Sequence, residues 1–134
     1  MKIRKATIKD IGSILNLQKS YNENYWTILD FKKAMRDKKV IFLVAEENEK
    51  IIGSVIGFIA PTKKTDAMLH ETRVDRNEQG RGIGLRLVNE FCKIAFNKGA
   101  KNIYAQIKDE HVKFYVNRCG FKISDEWIEV KKSQ

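Results

Sequence analysis

A glycine-rich turn, Gln79-Gly80-Arg81-Gly82-Ile83-Gly84, stands between a strand-like run ending at Val74-Asp75 and an apolar helical run that starts at Ile83. A strand, a glycine turn and a helix together make a cradle for an anion. The first N–H groups of a helix have no intrahelical partner and lie at the positive end of its macrodipole, so the backbone alone stabilises a phosphate placed there. Gly82 and Gly84 carry no Cβ to hold a pyrophosphate away, and Arg81 places a cation beside the turn. The turn is not a P-loop, because Leu85-Arg86 follows Gly84 where Lys-Ser/Thr is required. Nor is it a dinucleotide fingerprint, since Leu87 holds the place of the third glycine.

With 134 residues and 43% hydrophobic content, the chain is expected to form one domain, 1–134, around a single core. The longest apolar stretch, Ile51 to Ala60, is interrupted by Gly53, Ser54 and Gly57 and is too short to span a bilayer. Met1-Lys2-Ile3-Arg4 leads straight into a domain-like pattern with no signal-peptide core, so a cytoplasmic location is the expectation. Cys92 and Cys119 have neither the spacing of a zinc site nor the density of a disulfide scaffold, and no metal is expected. The net charge of +9 favours anionic partners. Its lysines and arginines are scattered rather than gathered on one basic helix, which argues against nucleic acid.

Hydrophobic periodicity orders the elements. Lys2 to Thr7 alternates as a short strand, and Asp10 then precedes Ile11, Ile14 and Leu15 at helical spacing. Thr27 with Asp30 resembles a capping box and opens a second helix through Phe31, Ala34 and Met35. Val40 to Ala45 and Ile51 to Ile59, joined by a polar turn, predict a hairpin, and a third strand from Asp66 to Val74 feeds the glycine turn. Helix three carries Ile83, Leu87, Phe91 and Ile94 on one stripe and closes at Lys98-Gly99. A strand at Asn102 to Ile107, a helix at Asp109 to Arg118 and a closing strand pair at Phe121 to Ile123 and Trp127 to Val130 complete an α/β pattern. Along the third strand of the meander, alternation puts Asp66, Met68, His70, Thr72 and Val74 on one face, and Glu71 and Arg73 on the other, barring a bulge.

Val74 to Gly84, read whole, resembles the acetyl-CoA-binding motif of the GNAT superfamily of N-acetyltransferases. One helix and one strand further on, Phe114-Tyr115-Val116-Asn117-Arg118-Cys119-Gly120-Phe121 resembles the family's Leu-Tyr-x-x-x-Gly-Phe segment. The order of elements matches the GNAT fold across nearly the whole chain. That fold is α/β (α+β by some schemes), with a mixed central sheet of about seven strands and about four helices, splayed between strands four and five.

The resemblance implies transfer of an acetyl group from acetyl-CoA to a primary amine. It places the pantetheine arm in the splay, pairing with the backbone of Thr72 and Val74, and the phosphates on Gln79, Gly80, Arg81, Gly82, Ile83 and Gly84. Tyr115 takes the role of the acid that protonates the departing sulfur. For the base, His70 is the first choice, because aralkylamine acetyltransferases carry a histidine at this offset. Asp66 falls where ribosomal-protein N-terminal acetyltransferases place a glutamate. Met68 falls where histone acetyltransferases place theirs, so that version of the mechanism is absent. Lys108 replaces an asparagine that touches the cofactor in many relatives, and Arg76 replaces the usual proline after Val-Asp.

Tyr25-Trp26-Thr27 resembles the Pro-Trp-Ser segment of N-terminal protein acetyltransferases, which puts Tyr25 and Trp26 beside the acceptor. The implied partners are acetyl-CoA and an amine, either a small molecule or a protein N-terminus, with a homodimer as a further option. A catalytically silent CoA-sensing or interaction module on the same fold is the alternative.

Overall fold

Two polar turns, one at Glu47 to Lys50 and one after Ala60, fold three β-branched runs back on one another. The computed structural model describes residues 1–22, 26–124 and 130–134. Its elements are β1 (Lys2–Lys5), α1 (Ile11–Ser20), α2 (Ile28–Arg36), β2 (Val40–Glu47), β3 (Lys50–Ile59), β4 (Asp66–Val74), α3 (Ile83–Asn97) and β5 (Asn102–Ala105), followed by a fourth helix at Lys113–Arg118. The sheet runs in sequence order, β1-β2-β3-β4-β5. The first three pairings are antiparallel and β4 with β5 is parallel. A parallel pair needs a crossover, and α3 supplies it.

About seven strands were expected of this fold family; the described residues contain five. Phe121 to Ser124 is not a strand. Gly120, at φ +80°, turns the chain so that the Phe121 N–H donates to the Tyr115 carbonyl at 2.9 Å, and the Phe121 ring meets Tyr115 edge-on. Packing on the fourth helix replaces pairing there. Trp127 to Glu129, the first three of the four residues of the other expected strand, lies outside the described residues.

Period-two alternation divides the core. Ile41, Leu43 and Ala45 of β2 face α3, with Val55, Ala67 and Leu69, against Ile83, Leu87, Val88 and Phe91. Phe42 and Val44 face the other way, with Ile51 and Ile56, against Ile11, Ile14 and Leu17 of α1 and Phe31 and Ala34 of α2. Burial of each large side chain in these layers contributes about 1.5–3 kcal/mol. The capping box forms as the sequence predicts: Asp30 N–H donates to Thr27 Oγ1 and Thr27 N–H to Asp30 Oδ2. Edge strand β1 is fastened by Arg4, which donates bidentately to buried Asp10 at 2.8 and 2.9 Å and through Nε to Glu46 at 2.9 Å. The guanidinium holds the Asp10 carboxyl below the usual carboxylate range.

Gly57 has a tight steric role. It lies on β3 directly beneath the ring of Phe91, and a Cβ there would overlap that ring and the Met68 carbonyl oxygen. Phe91 is fully buried and the carbonyl belongs to the sheet, so neither has room to yield. Gly57→Ala is expected to destabilise the fold by about 1–3 kcal/mol or more. Urea denaturation measures it, and an unchanged midpoint would mean that the helix and sheet separate freely.

Candidate active site

Pairing of β4 with β5 covers only Asp66↔Asn102 to Leu69↔Ala105, whereas β4 continues to Val74. Beyond Leu69 the two chains part. The cleft so formed, about 800 Å3, has residues 71–74 of β4 on one wall and Gln106, Ile107 and Lys108 on the other. Asp75 N–H donates to Ile52 C=O on β3, so by antiparallel alternation the backbones of Arg73 and Glu71 also point to β3. Those of Val74 and Thr72 therefore project from the open edge, where the sequence reading put the pantetheine contacts.

The cleft continues to the glycine turn. Gly80 and Gly82 adopt φ +84° and +79°, conformations that side chains resist, and an added Cβ at either would meet nothing within 4 Å. Gly82 is the N-cap of α3 and provides no side-chain cap. The first bond of the helix is Arg86 N–H to Gly82 C=O, which leaves the N–H groups of Ile83, Gly84 and Leu85, all residues of the cleft lining, without a partner within the helix. Gly84 has a different role, since a Cβ there would press on Phe114 at 3.3 Å. Gln79, Gly80, Gly82, Ile83 and Gly84 all line the cleft. Arg81 does not: its guanidinium is turned outward, bidentate on Glu47 at 3.0 and 2.8 Å and on Glu78 at 2.5 Å. Two carboxylates satisfy it better than the mouth of a cleft would. The cations that do line the cleft are Arg73, Arg76, Lys108 and Arg118.

Tyr115 is buried, and its hydroxyl donates to Thr72 Oγ1 at 3.2 Å, on the α3 side of the sheet. Phe114 and Phe121 meet its ring edge-on at 5.0 and 5.5 Å. Burial pushes the phenol above its ordinary pKa, opposed by the Thr72 bond and reinforced by the Glu71 carboxylate. It is an acid that keeps its proton at neutral pH.

His70 faces elsewhere. The ladder pairs Glu71 with Ile56 and Leu69 with Gly57, so His70 is the extra residue of a β-bulge. The bulge reverses the alternation beyond it. Thr72 stays with Leu69 and Ala67 on the α3 face, while Glu71, opposite Ile56, joins the α1 and α2 face. His70 lies 6.0 Å from Trp26, which packs on that second face, so it does not share a face with Thr72 and Val74 as simple alternation predicted. It still lines the cleft, beside Glu71, whose carboxylate pairs with buried Arg73. Desolvation, then the charge of Arg73, pushes the imidazole below its ordinary pKa.

Asp66 is not brought to the site. It begins β4, six residues or about 20 Å from Thr72, buried beside Lys63 at 3.5 Å. Trp26 flanks His70 without lining the cleft, and Tyr25 lies outside the described residues. Sequence reading missed Tyr21. Its hydroxyl donates to Val74 O at 2.6 Å and accepts from Gln79 Nε2 at 2.8 Å. Its only signal was an aromatic directly after the last turn of α1. Burial raises both thiols, Cys92 and Cys119, to about 11, so neither is a ready nucleophile. Among the described residues there is no group of three metal-ligating side chains, and no helix long and apolar enough to cross a membrane.

Residues 9–121 match the family model described as the Acetyltransferase (GNAT) family. The chain belongs to the GNAT family. An uncharacterised N-acetyltransferase of Methanocaldococcus jannaschii is 28% identical over 97% of this chain and 66% of its own length. The L-2,4-diaminobutyric acid acetyltransferase of Marinococcus halophilus is 36% identical over 38% of this chain and 30% of its own. The chain thus spans less than two thirds of each of these relatives. Among solved structures, a protein of Agrobacterium tumefaciens superposes with a TM-score of 0.86 at 19% identity, covering 98% of this chain and all of that one. The aminoglycoside N-acetyltransferase AAC(6')-Iy in complex with CoA gives 0.80 at 16% identity, covering 99% and 100%. These two share the fold.

Against the GNAT pattern, the tyrosine segment has one residue too many: Val116 to Cys119 separate Tyr115 from Gly120 where the pattern has three. The backbone absorbs it by winding Lys113–Arg118 as a π-helix, with Cys119 N–H donating to Phe114 C=O five residues back, at 3.1 Å. Gly120 then turns as the pattern requires.

The shift of His70 gives a pH test. With its folded pKa depressed, the unfolded chain takes up a proton first as pH falls, so His70 withdraws stability below the ordinary imidazole pKa of about 6.5. In an NMR titration the His70 Hε1 resonance is expected to have its midpoint below that value. A midpoint at or above it would contradict the desolvated setting.

Proposed function

We propose that the protein is an acetyl-CoA-dependent N-acetyltransferase that moves an acetyl group to a primary amine of a small molecule or a protein N-terminus. The observation that carries this reading is one cleft in which the open backbone edge of Thr72 and Val74 lies between unpaired N–H groups at the start of α3 and the Tyr115 hydroxyl. Polyanionic CoA matches the first, since phosphate oxygens accept from a helix N-terminus. Pantetheine amides match the second, as a peptide strand matches a sheet edge.

The chemistry balances with groups already in place. A neutral amine attacks the thioester carbonyl carbon, the new C–N bond forms as the C–S bond breaks, and the electron pair leaves on sulfur. Tyr115 gives its proton to that thiolate, and His70, neutral at pH 7, takes the proton that the amine sheds. Asp66 stands too far along β4 to take part. Acceptor choice belongs to the α1 and α2 face, where His70 and Trp26 stand together. The names of the diaminobutyrate and aminoglycoside enzymes are those of proteins acting on small amines, which favours the small-molecule branch.

The test follows free thiol while the protein is incubated with acetyl-CoA and a panel of amines and peptides. Thiol release dependent on one acceptor class is expected. CoA binding without release for any acceptor would support the silent module instead, and no binding even at low salt would remove the cradle. Tyr115→Phe is expected to lower kcat about 100-fold while calorimetry finds CoA affinity little altered; unchanged turnover would dismiss Tyr115 as the acid.

A further inference from the structure

The last turn of α1 is tied to both halves of the site. On the cofactor side, Tyr21 Oη donates to the edge carbonyl of Val74 at 2.6 Å and accepts from Gln79 Nε2 at 2.8 Å. Arg76 Nε donates to Ser20 O at 2.8 Å, and its guanidinium lies over the Tyr21 ring, 4.4 Å from the centroid. On the acceptor side, Gln18 Nε2 donates to Trp26 O at 3.0 Å. Gln18 is fully buried, so losing that bond would leave its amide N–H desolvated and unsatisfied. Tyr21 N–H donates back to Gln18 O at 3.2 Å and closes the turn. A displacement of Tyr21 therefore carries Gln18 with it.

We propose that Tyr21 is a positioning residue that couples the CoA cleft to Trp26: it sets the β4 edge and the Gln79 amide for the cofactor, and occupancy of the cleft is transmitted through Gln18 to the acceptor side. The proposal rests on the acyl-CoA reading above. Val74 O has two lone pairs, so it holds the Tyr21 hydroxyl and still accepts a pantetheine N–H. The edge is thus oriented before the cofactor arrives rather than blocked. A coupling of this kind is reciprocal, and an acceptor lodged against Trp26 tightens CoA by the factor by which CoA tightens the acceptor.

The chain has two tryptophans, so a Trp127→Phe background leaves Trp26 as the only reporter. CoA is titrated into it by calorimetry and, in parallel, by tryptophan emission. The emission change is expected to follow the calorimetric isotherm. Adding Tyr21→Phe, which removes the hydroxyl's bonds to Val74 and Gln79, is expected to weaken CoA on the order of five-fold, about the net worth of one ordinary hydrogen bond, and to abolish the emission change at saturating CoA. A purely structural tyrosine would lower the melting temperature and leave that change intact. Arg76→Met, which removes the bond to Ser20 and the cation over the ring, gives the same readout should Tyr21→Phe fail to fold. Emission that ignores saturating CoA in the background protein overturns the coupling, as does a response in the variants equal to that of the background. Absence of CoA binding by calorimetry in the background protein would instead remove the acyl-CoA reading, and the coupling with it.

Discussion

Strand β4 is paired with β3 along its length but with β5 only as far as Leu69, and the site exists because the second pairing stops where it does. The bulge at His70 falls at the same point. A bulge sharpens local twist and shifts every later side chain to the opposite face. Thr72 and Val74 consequently open their backbone to the cleft while turning side chains toward Tyr115 and α3, and Glu71 and Arg73 turn toward α1 and α2. One irregularity thus divides the proposed site in two. In the proposed reading the cofactor takes the α3 face and the amine the other, with the bulge between them.

Charge is arranged with the same economy. Arg81, the cation nearest the glycine turn in sequence, is spent on Glu47 and Glu78 and braces the turn against the β2–β3 hairpin. What faces an incoming anion at the turn is backbone. Fixed N–H dipoles need no reorganisation and no side-chain ordering, whereas an exposed arginine surrenders much of its attraction to solvent. The net charge of +9 then acts at long range, raising the local concentration of a polyanion without deciding where it lodges.

The parts of this fold that were legible in the sequence are those governed by local periodicity and local chemistry. The helical stripe from Ile83 to Ala95, the hairpin of β2 and β3, and the Thr27 box all depend on residues within a few positions of one another. The glycine turn and the Tyr115 segment were legible for the same reason. What escaped depends on contacts distant in sequence. Nothing local marks His70 as a bulge, because the extra residue exists only relative to β3. Arg81 looked available until Glu47, 34 residues earlier, was brought beside it. Tyr21 gained its role from Val74, 53 residues away. The count between Tyr115 and Gly120 was in plain view, yet only the backbone shows how an extra residue is stored without moving either end of the motif.

Burial acts on the two proposed proton-transfer groups in opposite senses. Desolvation penalises whichever form is charged, so it raises the phenol of Tyr115 and lowers the imidazole of His70. Both groups are then neutral at pH 7, one as a donor and the other as an acceptor, which is the pairing that acyl transfer from a thioester to an amine requires. A carboxylate base beside the thioester would repel the thiolate as it forms, and it would also hold the acceptor as an ammonium ion pair that cannot attack the carbonyl. Two neutral groups on opposite faces of a single bulged strand avoid both penalties, because each meets its own reactant and neither needs the other's proton until the C–S bond has broken.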